Sequence, residues 1–116
     1  MRIAALYVEK DGCYYGLPGI DPWDEGRDAR QYAGPWPVIA HPPCGPWGRL
    51  QHLYRGNEHD CAPRAVEQVR RWGGVLEHPA HSKLFEIRAA LYNHFLPKPC
   101  DGHDTYGGYT IEVCQC

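Results

Sequence analysis

Two short runs of this chain place reactive groups where open sheets do chemistry. His41-Pro42-Pro43-Cys44 directly follows the apolar run Pro37-Val38-Ile39-Ala40 and leads into Gly45-Pro46-Trp47-Gly48. Two prolines end a strand abruptly, because neither donates to a ladder and each fixes φ near about −65°. The Cys44 thiol is therefore expected at the carboxyl end of a strand, the edge at which open α/β sheets bind ligands. Gly73-Gly74-Val75-Leu76-Glu77-His78-Pro79 repeats the design with a carboxyl in place of the thiol. Cys44 and Glu77 thus read as a nucleophile and a proton donor.

A thiolate needs a helix terminus or a cation to hold its proton affinity down, and His41, Arg49 or His78 can supply that charge. Trp47 and Tyr54 are candidates to stack on a base. Each residue also has a structural reading. Cys44 can be a buried cysteine below a loop, since free cysteine is among the most buried residue types. Glu77 can cap a helix or pair with Arg71, and Trp72 and Phe85 read as core.

The six cysteines, Cys13, Cys44, Cys61, Cys100, Cys114 and Cys116, would make a disulfide framework in a secreted protein. No charged leader followed by an apolar region opens the chain, so free thiols and a cytoplasmic location are expected. Cys100, His103, Cys114 and Cys116 form an alternative zinc-ligand set, although Cys-x-Cys is tighter than the usual gap in zinc sites.

These groups are carried by 116 residues, enough for one domain over residues 1–116. The composition, 43% hydrophobic and 22% charged, argues against disorder. The longest apolar stretch, Ile3-Ala4-Ala5-Leu6-Tyr7-Val8, is far below the roughly 20 residues a bilayer span needs, so no membrane partner is expected. A net charge of −2 argues against a bulk electrostatic grip on nucleic acid. A local basic face is still compatible with Arg64, Arg70, Arg71, Lys83 and Arg88 falling in one half, the alternative being a solvated helix face.

The elements that position Cys44 and Glu77 follow from periodicity and punctuation. Residues 2–8 read as a first strand and Asp11 to Trp23 as a long glycine- and proline-rich loop. A short helix is expected within Trp23 to Tyr32, weakened by Gly26. Residues 37–40 read as a strand and Arg49 to Asp60 as a mobile loop or frayed helix. Asp60 as cap, Pro63 in the first turn and the spacing of Val66, Val69 and Trp72 predict a helix that Gly73-Gly74 ends. Val75-Leu76 follows as a strand, giving a βαβ crossover and a parallel sheet, right-handed by default. Ser82 to Phe95 carries an imperfect helical stripe, and Tyr109 to Val113 reads as a last strand. A strand ending at Cys116 suggests a truncated chain whose missing strands another subunit would supply, because exposed edges invite pairing.

The stretch Asp28-Ala29-Arg30 … Pro37-Val38-Ile39-Ala40-His41-Pro42-Pro43-Cys44 resembles the strand and Pro-Pro-Cys loop of DNA cytosine-5 methyltransferases, in particular small methylase-like proteins common in bacteriophage genomes. Val75-Leu76-Glu77-His78-Pro79 is similar to that family's Glu-Asn-Val or Glu-Asn-Pro strand. The resemblance covers about residues 28–80. It implies a reduced, three-layer Rossmann-like α/β fold of the class I methyltransferase type. It also implies a covalent mechanism in which Cys44 adds to C6 of a cytosine while Glu77 contacts N3 and the exocyclic amine. Pro43, Trp47, Arg49, Tyr54 and His78 would then lie around the base, which in a duplex must be flipped out. The implied cofactor is S-adenosylmethionine, with Gly12 and Gly16 as a loose analogue of the family's glycine-rich turn.

The chain departs from the family's pattern in three places. Too few residues precede Asp28 for the usual two strands and intervening helix, the later Gln-x-Arg-x-Arg element has no counterpart, and no target-recognition domain is present. A second reading is therefore a catalytically inactive, phage-type derivative that binds nucleic acid, a nucleotide or a host protein in the host cytoplasm, as a counter-defence factor. A third is a small zinc-stabilised module.

Overall fold

Four short parallel strands form the sheet, and Cys44 and Glu77 follow the carboxyl ends of two of them. The computed structural model describes residues 1–85, 96, 102–104 and 106–113. Strand β1 (Ile3–Leu6) pairs on one side with β2 (Ile20–Trp23) and on the other with β3 (Val38–Ala40), which pairs with β4 (Gly74–Leu76). The order is β2-β1-β3-β4 and every pairing is parallel. An α/β fold with the expected βαβ crossover is therefore present, its crossover helix being α1 (Cys61–Trp72).

The apolar runs become strands because both faces of the middle of the sheet are covered. Ala4, Ala5 and Leu6 are fully buried in succession, the pattern of a strand enclosed on both sides. Ala4, Leu6, Val38 and Ala40 pack with Ala29, Tyr32 and Ala65, while Val69, Trp72 and Leu76 close the margin. The face of α1 that carries Ala62 and Val66 instead meets Trp47 and Leu84. The spacing read from the sequence thus places α1 correctly, and Gly73 ends it at φ 80°, where its N–H reaches the Val69 carbonyl.

Several expectations need correction. Residues 11–23 are not loop throughout, since Ile20–Trp23 forms β2. Pro22 disguises this strand, and it is tolerated because β2 is an edge, where a missing N–H costs no ladder bond. Two strands therefore do precede Asp28, joined by residues 7–19 without a helix. The segment expected to be helical before Tyr32 contains only a 3-10 turn, Ala29–Gln31, with Asp28 at φ 56° accepting from the Arg30 N–H. Asp60 stands at the start of α1 but its side chain makes no capping bond. It takes the Arg30 guanidinium at 3.0 and 3.1 Å instead, a charge-assisted two-oxygen contact that outcompetes a neutral cap.

Tyr109 to Val113 forms no strand, and Tyr109, Ile111 and Val113 stay exposed without a ladder partner. Its alternating pattern suits a pleated surface, and strand propensity is realised only against a neighbour. Within the stripe expected from Ser82 to Phe95, Lys83–Phe85 forms a 3-10 turn, and residues 86–95 lie outside the described residues. No helix among the described residues is long and apolar enough to cross a membrane.

Candidate functional site

The site lies where the chain reverses its direction of travel across the sheet. From β1 the chain steps outward to β2, whereas from β3 it steps the other way to β4. The loops leaving the carboxyl ends of β1 and β3 therefore part company, and such a switch point is where open α/β sheets form a crevice. Residues 7–19 and the His41 to Asp60 segment are those two loops.

Register fixes the first pair of candidate residues. Ala40 stands opposite Leu76, so the next residues of the two strands, His41 and Glu77, emerge abreast. The backbone clamps both: the His41 N–H donates to the Leu6 carbonyl at 3.1 Å and the Glu77 N–H to the Ala40 carbonyl at 2.9 Å. His41 Nδ1 lies 3.5 Å from Glu77 Oε2, and the two side chains are 33% and 45% exposed. This contact is long for a hydrogen bond and becomes an ion pair only when the imidazole is protonated.

From the β1 loop, the Tyr14 hydroxyl meets His41 Nε2 at 2.6 Å, with the rings tilted at a centroid distance of 5.5 Å. Burial, then the neighbouring Cys13 and Glu77 charges, push the Tyr14 phenol above its ordinary range. A protonated phenol donates only to a ring nitrogen that carries no proton, and in that arrangement the imidazole proton sits on Nδ1, the nitrogen facing Glu77.

Cys44 is exposed at the head of the 3-10 turn Gly45–Trp47, and its carbonyl accepts the Trp47 N–H at 2.9 Å. The expected presentation of a thiol beyond the β3 edge therefore holds. Pro42 beneath it is buried and Pro43 half-buried. Cys13 is a second exposed free thiol on the opposing loop, whereas Cys61 is buried and its thiol is pushed up to about 11 by burial.

The residues expected around the base divide. Arg49 is exposed on the Cys44 loop, next to the exposed Leu50 and Leu53. Tyr54 folds back over Gly45, leaving little room for a side chain there, and its hydroxyl accepts the Glu58 N–H at 3.1 Å. Its ring meets His59 edge-on at 5.0 Å, which makes it part of the loop's own packing.

Trp47 does not offer a stacking face. It is 3% exposed, in the cluster with Ala62, Val66 and Leu84, because the 3-10 turn rotates its indole inward onto α1. His78 is also buried, with Nδ1 2.6 Å from Ser82 Oγ, the Pro42 and Pro43 backbone close to its ring, and Nε2 without a hydrogen-bond partner among the described residues. Burial lowers its pKa, so it is neutral at pH 7 and cannot supply a cation to Cys44. Its place is to brace the Cys44 loop from below.

At the β1–β2 edge, Gly12 sits in a tight turn, its N–H donating to the Glu9 carbonyl and its carbonyl accepting from Tyr15. Gly16 adopts φ 78° in open surroundings. Asp24, the acid just beyond β2, accepts the Tyr15 hydroxyl at 2.6 Å and the Arg27 N–H at 3.0 Å. Tyr15 is correspondingly pushed up to about 12, chiefly by that hydrogen bond. Of the alternative zinc set, Cys100, Cys114 and Cys116 lie outside the described residues, and His103 is exposed against Tyr109. No group of three or more metal-ligating side chains occurs among the described residues.

The basic helix face is largely engaged. Arg64 pairs with Glu67, Arg70 with Asp104 and the Tyr106 ring, and Arg71 lies over Trp72. Tyr14 and its bond to His41 had no sequence signal, since a tyrosine within a glycine-rich loop fits any periodicity. None of the family models, curated proteins and solved structures compared with the chain matches it.

Proposed function

We propose that this chain is a DNA cytosine-5 methyltransferase-like protein that engages a cytosine-like base, in nucleic acid or a nucleotide, at the β3–β4 edge. The observation that carries the reading is the register of β3 and β4. It sets Glu77 beside His41 and leaves the exposed Cys44 on the same edge, on the Pro-Pro turn that leaves it. Cys44, as thiolate, forms the Sγ–C6 bond, while a protonated Glu77 gives its proton to N3 and accepts from the exocyclic amine. The C5=C6 pair shifts to C4=C5, and C5 becomes nucleophilic. In duplex DNA the base must first leave the stack.

S-adenosylmethionine is the methyl donor that the resemblance implies, but the residues at the β1–β2 edge do not fit it. The loop after β1 ends in no helix whose N–H groups could form a cradle, and Asp24 is occupied by Tyr15. This favours, as the second reading, a catalytically inactive derivative of the phage type that binds a nucleotide, nucleic acid or a host protein without methyl transfer.

Release of tritium from single-stranded oligo(dC) labelled at C5 separates the two. Addition at C6 lets C5 take a proton from water and return tritium on elimination, with no donor required. Release that Cys44→Ser abolishes supports base-directed chemistry, and no release supports the binding derivative. Calorimetry with S-adenosylmethionine then tests the donor directly.

A further inference from the structure

We propose that Tyr14 and His41 are positioning residues for Glu77, a relay across the switch point that decides which carboxyl oxygen carries the acid proton. The inference rests on the base-directed reading of Cys44 and Glu77 and goes beyond it, since Tyr14 lies outside the motifs that suggested that reading and His41 entered it only as a candidate cation for Cys44. Three elements meet here: the β1 loop gives Tyr14, the end of β3 gives His41 and the end of β4 gives Glu77.

The 2.6 Å Tyr14 contact fixes the ring of His41 and, with the phenol protonated, its tautomer. Nδ1–H then points to Glu77 Oε2 at 3.5 Å. An oxygen that accepts from Nδ1–H is a poor place for a proton, so the acid proton of Glu77 resides on Oε1. The carboxyl thereby presents one donor and one acceptor, matching the N3 acceptor and the amine donor of cytosine. On addition the Sγ–C6 bond forms, C4=C5 replaces C5=C6, the C4=N3 pair moves to N3, and N3 takes the Oε1 proton. The resulting carboxylate stays in contact with His41 Nδ1 and gains an attraction to its N–H, and no proton is lost or created.

The charged and titratable groups facing this relay are Cys13 beside Tyr14, Glu77 itself, and His78 following Glu77 on the buried side. His78 is neutral, so it does not compete for the Glu77 charge.

The test compares tritium release from oligo(dC) by the full chain carrying Tyr14→Phe, His41→Gln, Glu77→Gln and the Tyr14→Phe/Glu77→Gln double change. We expect Tyr14→Phe and His41→Gln each to lower the maximal rate about tenfold at unchanged half-saturation, the scale of a misplaced general acid. The double variant should be no slower than Glu77→Gln alone, because the relay acts only through that carboxyl. Nitrogen NMR of the histidines provides a second readout independent of activity: His41 should be protonated on Nδ1 in the native chain and lose that preference in Tyr14→Phe. Full additivity, a Tyr14→Phe rate equal to the native one, or an Nε2–H tautomer of His41 would overturn the relay alone. Absence of release from the native chain would overturn the base-directed reading, and the relay's role with it.

Discussion

The Tyr7 hydroxyl donates to Gln68 Oε1 at 2.8 Å, joining the carboxyl end of β1 to the middle of α1. Gln68 is 1% exposed, and its amide also donates to the Ala29 carbonyl at 2.8 Å and the Tyr32 carbonyl at 3.2 Å. One side chain thus satisfies a phenol and two carbonyls inside the core. Gln68→Leu strands all three, and urea unfolding should show a loss of about 2–4 kcal/mol. A variant as stable as the native chain would mean that water replaces the amide.

The same region sets the alkaline limit. Burial raises the Tyr7 phenol well above its ordinary value of 10.0 and Cys61 to about 11 from 9.0. Both groups are held protonated in the fold, so their contribution is complete below their ordinary values and is lost as pH rises through the folded ones. Stability should fall from about pH 9 upward, and Cys61→Ala should delay the onset. Urea midpoints measured from pH 8 to 11 check this, and a flat profile contradicts it.

On the acid side, burial depresses His78 below its ordinary 6.5. A depressed base contributes stability that is present above its unfolded value and lost as pH falls through the folded one. The native chain should therefore lose stability below about pH 6.5, with the Cys44 loop loosening as His78 charges. His78→Phe should flatten the dependence between pH 7 and 5, and an unchanged slope would assign it to another group.

A Cβ at Gly74 would overlap the Val38 carbonyl, and the residue stands at φ 124°. Gly74→Ala should cost more than about 3 kcal/mol and abolish any activity through loss of the β3–β4 register. Thermal unfolding beside Gly73→Ala, where φ is also positive but the surroundings are open, separates the steric cost from the conformational one.

How far the sequence discloses this arrangement depends on whether local pattern and tertiary context agree. Val38–Ala40, α1 and Gly74–Leu76 were legible because apolar periodicity, the prolines and the double glycine all indicate the same boundaries, and they place Cys44 and Glu77 on one edge. Strand β2 was hidden by Pro22, whose missing donor matters only if the strand is internal. Trp47 looked free for stacking because its neighbours are turn residues, yet the turn itself directs the indole into the core. Tyr14 and His41 are far apart in sequence, and only the folded β1 loop brings them together.

The most direct test of the central claim is the mass of the intact protein after incubation with a single-stranded oligonucleotide containing 5-azacytosine, whose ring nitrogen accepts a proton after addition at C6 and retains the thiol. The account predicts one added oligonucleotide mass, mapped by digestion to Cys44 and absent from Cys44→Ser, with Glu77→Gln slowing its formation at least about tenfold. An unmodified protein, or an adduct on Cys13 instead, would contradict it.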